Sequence, residues 1–223
     1  SLRTSQEVEE VLGLAHLVSL PLVPDEKGPD GKRLLPQDYL LSKPLSAYSE
    51  SLRSLRSALA LSNVDAPPKL ILFTSALPNE GKTTTSVSFA RAAAASGLRV
   101  LLIDCDLRHP SVRKALGGAS PKVGLVELLA GEAKIDDVLI SDAPSQLHYI
   151  PVASGSANPP DVLASGQMRK LLDEMRSAYD LVVLDSAPVL PVSDSRVLSR
   201  LVDKTVFVVR WSETPKDAAS SGI

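Results

Sequence analysis

"ILFTSALPNEGKTTTSVSFA" occupies residues 71–90 and passes from an apolar run, through a turn, into a segment of helical composition. Ala76, Gly81, Lys82 and Thr83 satisfy a relaxed phosphate-loop pattern, with alanine in place of the first glycine. The residue types answer to anion chemistry. Backbone N–H groups from Asn79 to Thr84 can curl round a phosphate, and a helix beginning near Lys82 aims its positive dipole end at the same point. Gly81 is expected to let the backbone approach closely. Lys82 can reach β- and γ-phosphates as a compact charge, and the Thr83 hydroxyl can ligate Mg²⁺. A preceding strand and a following helix separate such a loop from a chance match. Pro78, Asn79, Glu80, Gly81, Lys82, Thr83 and Thr84 are therefore the expected nucleotide-binding residues.

Outward from this loop, short aliphatic runs alternate with helical stretches. The runs are 70–75, 99–106, 147–153, 180–188 and 204–211; the helical candidates are 82–96, 111–116, 124–130, 135–140, 160–178 and 194–201. Several runs are apolar on both faces, as parallel strands covered by helices are. The alternation predicts an α/β fold, a doubly wound and mostly parallel sheet with helices on both faces, of phosphate-loop NTPase type.

Two further runs end in acid. "LLIDCDLRHP" (101–110) closes on Asp104 and Asp106 with Cys105 between them, and "LVVLDSAP" (181–188) closes on Asp185. In a strand, residues i and i+2 share a face, so Asp104 and Asp106 are expected side by side, each raising the other's pKa unless a cation intervenes. Ligands of open α/β sheets bind beyond the carboxyl ends of the strands. Three acids should thus meet Lys82 there, with Mg²⁺ and nucleotide phosphates between them and Thr83, Asp106 and Asp185 on the metal side. One acid is enough to hold the metal through water. A second or third offers a base for a nucleophile, which is water in an ATPase and a hydroxyl in a kinase.

The bulk composition narrows the classes. At 223 residues the chain can bury a substantial core; hydrophobic residues make up 44% and charged residues 22%, with a net charge of −2. That balance implies no broad attraction to nucleic acid, and aromatics at 4% argue against base-stacking platforms. A single cysteine excludes an internal disulfide framework and a cysteine-held metal cluster. No apolar run approaches the roughly 20 residues that cross a bilayer, and the opening residues are not a signal peptide. The start at Ser1, without Met, suggests an excised piece.

Residues 1–45 read as a helix, an extended segment and a mobile loop packing on a core of 46–223. Thr4 and Glu7 form a capping box and Gly13 ends the first helix. Residues 16–24 are extended, and 24–38 are rich in Pro, Gly and charge. Residues 46–62 are helical in pattern, with Leu52, Leu55 and Leu59 on one stripe. Glu50, Arg53 and Arg56 follow a ridge beside it; by spacing alone this is an intrahelical salt bridge on a solvated face. Cys105 should face away from the acids and be buried. His109 reads as a loop residue, His16 and His148 as strand residues with no evident partner, and Trp211 as a packed strand end.

Taken together, the motifs resemble the bacterial tyrosine kinases of capsule and exopolysaccharide export, over most of residues 4–216. The family's first motif is similar to "SALPNEGKTT", its second, an aliphatic run then D-x-D-x-R, to "LLIDCDLR", and its third to "LVVLDSAP". Its E-x-x-R-x-x-R element is matched by Glu50, Arg53 and Arg56. The resemblance implies a tyrosine kinase that uses ATP and Mg²⁺, releases ADP, and autophosphorylates between subunits. Lys82 would bind the phosphates, and Asp104 would be the base, with Asp106 the alternative. Arg108 would stabilise charge on the transferred phosphoryl or pair with a neighbouring acid. Glu50, Arg53 and Arg56 would join subunits in a ring, commonly of eight. The implied partners are a membrane co-polymerase or activator segment, in the same chain or another, and a cognate phosphatase; the implied location is a cytoplasmic domain tethered to the inner membrane.

Two departures accompany the resemblance. The tyrosines, Tyr39, Tyr48, Tyr149 and Tyr179, are scattered rather than clustered at the end, and the core is expected to be truncated at its C-terminus. The alternative reading is a phosphate-loop ATPase switch or a nucleotide-binding adaptor. Such switches usually carry a second lysine early in the loop, where this chain has Leu77.

Overall fold

Aliphatic runs bounded by polar turns become strands, and in the computed structural model, which describes residues 2–223, six of them form one sheet. β1 (Leu70–Ser75), β2 (Val100–Asp104), β4 (Leu147–Ile150), β5 (Leu181–Asp185) and β6 (Lys204–Val208) run parallel, while β3 (Ile140–Asp142) pairs antiparallel with β4 at one edge. The order across the sheet is β3-β4-β2-β5-β1-β6. This is the expected doubly wound, mostly parallel sheet.

The strand period of two sorts the core into two layers. Ile71, Phe73, Val100, Leu102, Leu181 and Val183 point to one face. There they meet Tyr48, Leu52, Leu55 and Leu59 of α3 (Ala47–Leu61) and Val87, Phe89, Ala90 and Ala93 of α4 (Lys82–Ala95). The intervening residues Leu70, Leu72, Leu101, Ile103, Val182 and Leu184 point to the other face. They meet α6 (Leu125–Leu129), α7 (Ile135–Val138), α8 (Pro159–Leu163), α9 (Gly166–Ala178) and α10 (Asp194–Ser199). Cys105 continues the second set and is fully buried, as its parity requires.

The chain departs from the sequence reading in several places. Residues 135–140 are not all helix, because β3 starts at Ile140. The candidate 160–178 is broken into α8 and α9, the second capped by the Ser165 hydroxyl on the Met168 N–H. α2 (Pro36–Ser42) takes the end of the expected loop, with proline at the first position, where its missing N–H costs nothing. The remainder of that loop is closed by a Lys27–Arg33 bridge. Residues 16–24 pair with no strand, so His16 is not a strand residue. β6 ends at Val208, and Trp211 stands 62% exposed rather than packed.

The first helix, α1 (Ser5–Leu12), has half of the expected capping box. Thr4 accepts from the Glu7 N–H, but the Glu7 carboxylate reaches the Arg3 N–H instead of that of Thr4. Leu2 and Leu12 pack with Ala219 of α11 (Lys216–Ser221), a short helix with too little apolar pattern to be read from sequence. None of the helices among the described residues is long and apolar enough to cross a membrane.

A buried guanidinium ties the edge of this fold together. Arg91 on α4 is 2% exposed and holds Asp142 through two hydrogen bonds of 3.0 and 2.9 Å. Its remaining nitrogen donates to the Asp38 carboxylate and the Gln37 carbonyl on α2. Removing one partner of a buried pair strands the other's charge, which costs about 3–5 kcal/mol. Arg91→Met is therefore expected to lower the urea-unfolding free energy by about that amount; a loss below about 1 kcal/mol would mean that Asp142 is solvated.

Candidate active site

The loop after β1 turns on two left-handed residues, Asn79 at φ 64° and Gly81 at φ 87°. Asparagine tolerates this conformation, whereas most residues with a Cβ are strained in it. A Cβ on Gly81 would meet nothing within 4 Å, so glycine is required here by its φ and not by crowding from the protein. The Glu80 side chain is buried and turned inward, accepting from the Leu77 N–H at 2.8 Å and from the Thr214 hydroxyl. It shapes the loop, leaving backbone N–H groups as the ligand-facing donors. Arg210 donates to the Asn79 carbonyl, so the segment after β6 also braces the loop. Pro78 and Asn79 lie exposed at the turn, and Thr84 follows Lys82 and Thr83 in the first turn of α4.

Lys82 is 8% exposed and bends over the strand ends. Its Nζ lies 3.3 and 3.4 Å from the two oxygens of Asp185 and 3.9 Å from Oδ2 of Asp106. Thr83 donates to Asp185 Oδ2 at 2.8 Å, and Ser86 donates to Oδ1 at 3.0 Å. Burial raises the Asp185 pKa, opposed by Lys82 and these hydroxyls.

The two acids of the second motif are not on one strand. β2 ends at Asp104, and Asp106 stands in the loop beyond it. The backbone there folds back: the Asp106 N–H donates to Asp104 Oδ1 at 3.2 Å, and the Ser111 and Val112 N–H groups, at the start of α5 (Val112–Ala115), donate to Oδ2, both at 3.1 Å. The acid that does sit beside Asp104 is Asp185, its direct partner in the β2–β5 register. Asp104 is fully buried, and burial first, then the Asp185 charge, push its pKa up to about 8. Asp106 keeps 4% exposure; its Oδ1 accepts from the Arg108 and His109 N–H groups while Oδ2 faces Lys82.

Arg108 pairs with an acid that sequence reasoning did not single out. Its Nε and Nη2 donate to the two oxygens of Asp194 at 3.0 and 3.2 Å. Ser86, Ser111, Asp194 and Thr214 were all missed. Ser111, Asp194 and Thr214 are polar residues at or near a helix start, where the sequence signal is that of a cap, and Ser86 is one small polar residue of the second turn of α4. Glu50 and Arg53 form the expected intrahelical pair at 2.5 Å on the outer face of α3, and Arg56 donates to the Ser96 hydroxyl. His148 does have a partner, with Nδ1 2.8 Å from the Tyr179 hydroxyl.

The donor set fits magnesium and a nucleotide. Thr83 and Asp185 supply hard oxygens already in contact, with Asp106 nearby. Mg²⁺ is commonly held by one or two carboxylates, with phosphate and water completing the shell. Among the described residues no three His, Cys, Asp or Glu side chains form a ready-made cage, which suits an ion that shares its shell with phosphates.

Comparison with known proteins agrees with this geometry. A family profile described as an AAA domain matches residues 68–210. The chain is 34% identical over 192 residues to the tyrosine-protein kinase YwqD of Bacillus subtilis, covering 85% of this chain and 80% of that protein. It is 36% identical over 179 residues to the succinoglycan biosynthesis transport protein ExoP of Rhizobium meliloti, covering 79% of this chain but only 23% of that longer protein. The kinase domain of the Escherichia coli tyrosine kinase ETK superposes with a TM-score of 0.89 at 26% identity, over 100% of this chain and 88% of that one. A phosphate loop, acids at two neighbouring strand ends with a third in the loop beyond, and these likenesses lead to one assignment: the chain belongs to the bacterial tyrosine-protein kinases.

Proposed function

We propose that this domain transfers the γ-phosphoryl of ATP to tyrosine hydroxyls presented by neighbouring subunits, and that it does so within a system for exopolysaccharide or capsule export. The observation that carries the reading is the convergence of Lys82, Thr83, Asp104, Asp106 and Asp185 on one buried corner of the sheet. A site that only hydrolysed nucleotide would need one acid for the metal. The second and third add a further oxygen for the metal and leave one acid free for proton work.

The roles divide by environment. Thr83, Asp106 and Asp185 would hold Mg²⁺, and the loop from Pro78 to Thr84 would bind the phosphates, with Lys82 moving from Asp185 to phosphate oxygen. The bound ion supplies charge neutralisation on the transferred group. Asp104 is the proton acceptor: it is the acid of the three that neither Lys82 nor Thr83 contacts, and burial beside Asp185 raises its affinity for a proton. Asp106 is coupled to it through the shared Asp106 N–H and faces the metal side through Oδ2.

All four tyrosines are buried, between 2% and 9% exposed, with Tyr48 and Tyr179 hydrogen-bonded to Ser88 and His148. None is offered to a kinase site, so the acceptor is a tyrosine outside this set. Delivery in trans, through a ring joined by Glu50, Arg53 and Arg56, satisfies that requirement. A membrane tether and a co-polymerase partner complete the proposed setting, with a cognate phosphatase to reset it.

Four results are expected. Lys82→Met and Asp104→Asn abolish transfer of labelled γ-phosphate to a tyrosine substrate. Asp104→Asn keeps nucleotide affinity within about threefold, whereas Asp106→Asn raises the Mg²⁺ requirement about tenfold or more; the reverse pattern would exchange the two roles. The Arg53→Ala, Arg56→Ala double variant runs as monomer in gel filtration where the parent chain assembles, and an unchanged elution volume would remove these residues from the interface. In metal-free buffer, the Asp104 pKa lies above its unfolded value near 4, so the folded state holds the extra proton. Stability is then lost as pH rises from about 4 to about 8, by up to about 1.4 kcal/mol per pH unit. Thermal melts should show that slope, and Asp104→Asn should flatten it.

A further inference from the structure

We propose that Asp194 is a positioning residue for phosphoryl transfer, acting through Arg108 to hold the loop that carries Asp106 and closes over Asp104. The inference rests on the kinase reading for its kinetic consequence but not for its structural one.

Asp194 has no exposed surface, yet it is ionic, and both of its oxygens are taken by the Arg108 fork. Two parallel N–H···O bonds fix orientation as well as distance. The backbone N–H of the same Arg108, with that of His109, donates to Asp106 Oδ1. Asp194 thus grips the side chain of the residue whose main chain holds Asp106. The loop then runs to Ser111 and Val112, whose N–H groups end on Asp104.

The anchor itself is rigid. Ser195, the next residue, shares hydrogen bonds with the Ser186 hydroxyl, the Thr74 hydroxyl and the Ala187 carbonyl. Thr74 belongs to the strand that leads into the phosphate loop, and Ser186 and Ala187 follow Asp185 directly. One turn, Asp194–Ser195, therefore references the D-x-D-x-R loop to the strand ends that carry the other two motifs. The pairing also commits Arg108: pulling it toward a phosphoryl group would leave Asp194 buried and unpaired, a strongly unfavourable state. Arg108 works as a strut, so the expectation that it stabilises the transferred phosphoryl is set aside in favour of the ion pair.

The test uses the whole chain with Asp194→Asn, Arg108→Lys, and the cycle of Asp194→Ala, Arg108→Ala and their double variant. Turnover for tyrosine phosphorylation should fall about tenfold to a hundredfold in Asp194→Asn, the scale of a misplaced catalytic group, with the KM for ATP within about threefold. Arg108→Lys should recover part of the loss seen in Arg108→Ala. The double variant should be no worse than the poorer single one, as a unit that fails together is. Amide hydrogen exchange gives the reading that does not depend on activity: residues 105–112 should exchange faster in Asp194→Asn while α4 keeps its protection. Additive losses, or a uniform rise in exchange with kcat and KM moving together, would overturn the proposal and reduce the pair to scaffolding. If the parent chain phosphorylates nothing, the kinase reading fails instead, and the exchange pattern alone decides whether Asp194 holds the loop. Should Asp194→Asn not fold, Arg108→Lys carries the same comparison.

Discussion

Everything at the functional corner depends on two carboxylates that cannot comfortably coexist. The register of β2 against β5 sets Asp104 and Asp185 abreast, both without exposed surface, so neither is screened by water. Like charges so placed favour protonation or demand a cation. The molecule meets the demand unevenly. Lys82, Thr83 and Ser86 all turn to Asp185, while Asp104 receives only backbone N–H groups. Two acids of the same kind in one pocket therefore have different surroundings: burial raises the pKa of both, but Lys82 and two hydroxyls oppose the rise at Asp185 alone.

That asymmetry requires precise placement of three separate pieces of chain, and the surrounding structure can be understood as what holds them. Glu80 and Arg210 brace the phosphate loop from below and beside it. Arg91 pins the far part of α4 to the sheet edge and to α2. The Arg108–Asp194 pair holds the loop between β2 and α5. Glu80, Arg91 and Asp194 are charged groups buried where leaving them unpaired would be costly, so these braces resist displacement. Hydrophobic burial builds the layers, but it is indifferent to shifts of a fraction of an ångström; the fixed directions of these hydrogen bonds are not.

The layers were legible in the sequence because they rest on local periodicity. Ile71 and Phe73 against Leu70 and Leu72 is a pattern of two that any reader can count. Lys82, Thr83 and Asp185 were legible too, since each sits at a predictable end of an element. What escaped were contacts made across long separations by ordinary polar residues. Asp194 looks like a helix-start acid, and nothing near it announces a partner 86 residues earlier in the chain. The register that sets Asp104 beside Asp185 is a property of two strands far apart in sequence, so by sequence alone Asp104 and Asp106 read as neighbours on one strand. Arg91 reads as one cation in an alanine-rich helix until Asp142 and Asp38 are brought to it. β3, α2 and α11 are short, and their apolar content is too small to give a period.

The burial of every tyrosine has a consequence for how such a kinase is regulated. A phosphoryl-transfer site in a chain that displayed a tyrosine on its own surface would be at risk of modifying its own fold. Here Tyr48 and Tyr149 are core side chains, and Tyr48 and Tyr179 spend their hydroxyls on Ser88 and His148. Burial pushes the pKa of Tyr48, Tyr149 and Tyr179 upward, moving those hydroxyls further from the phenolate that would attack phosphorus. The fold thus withholds its own tyrosines from that chemistry. Under the proposed delivery in trans, specificity rests on which external hydroxyl reaches the corner of the sheet.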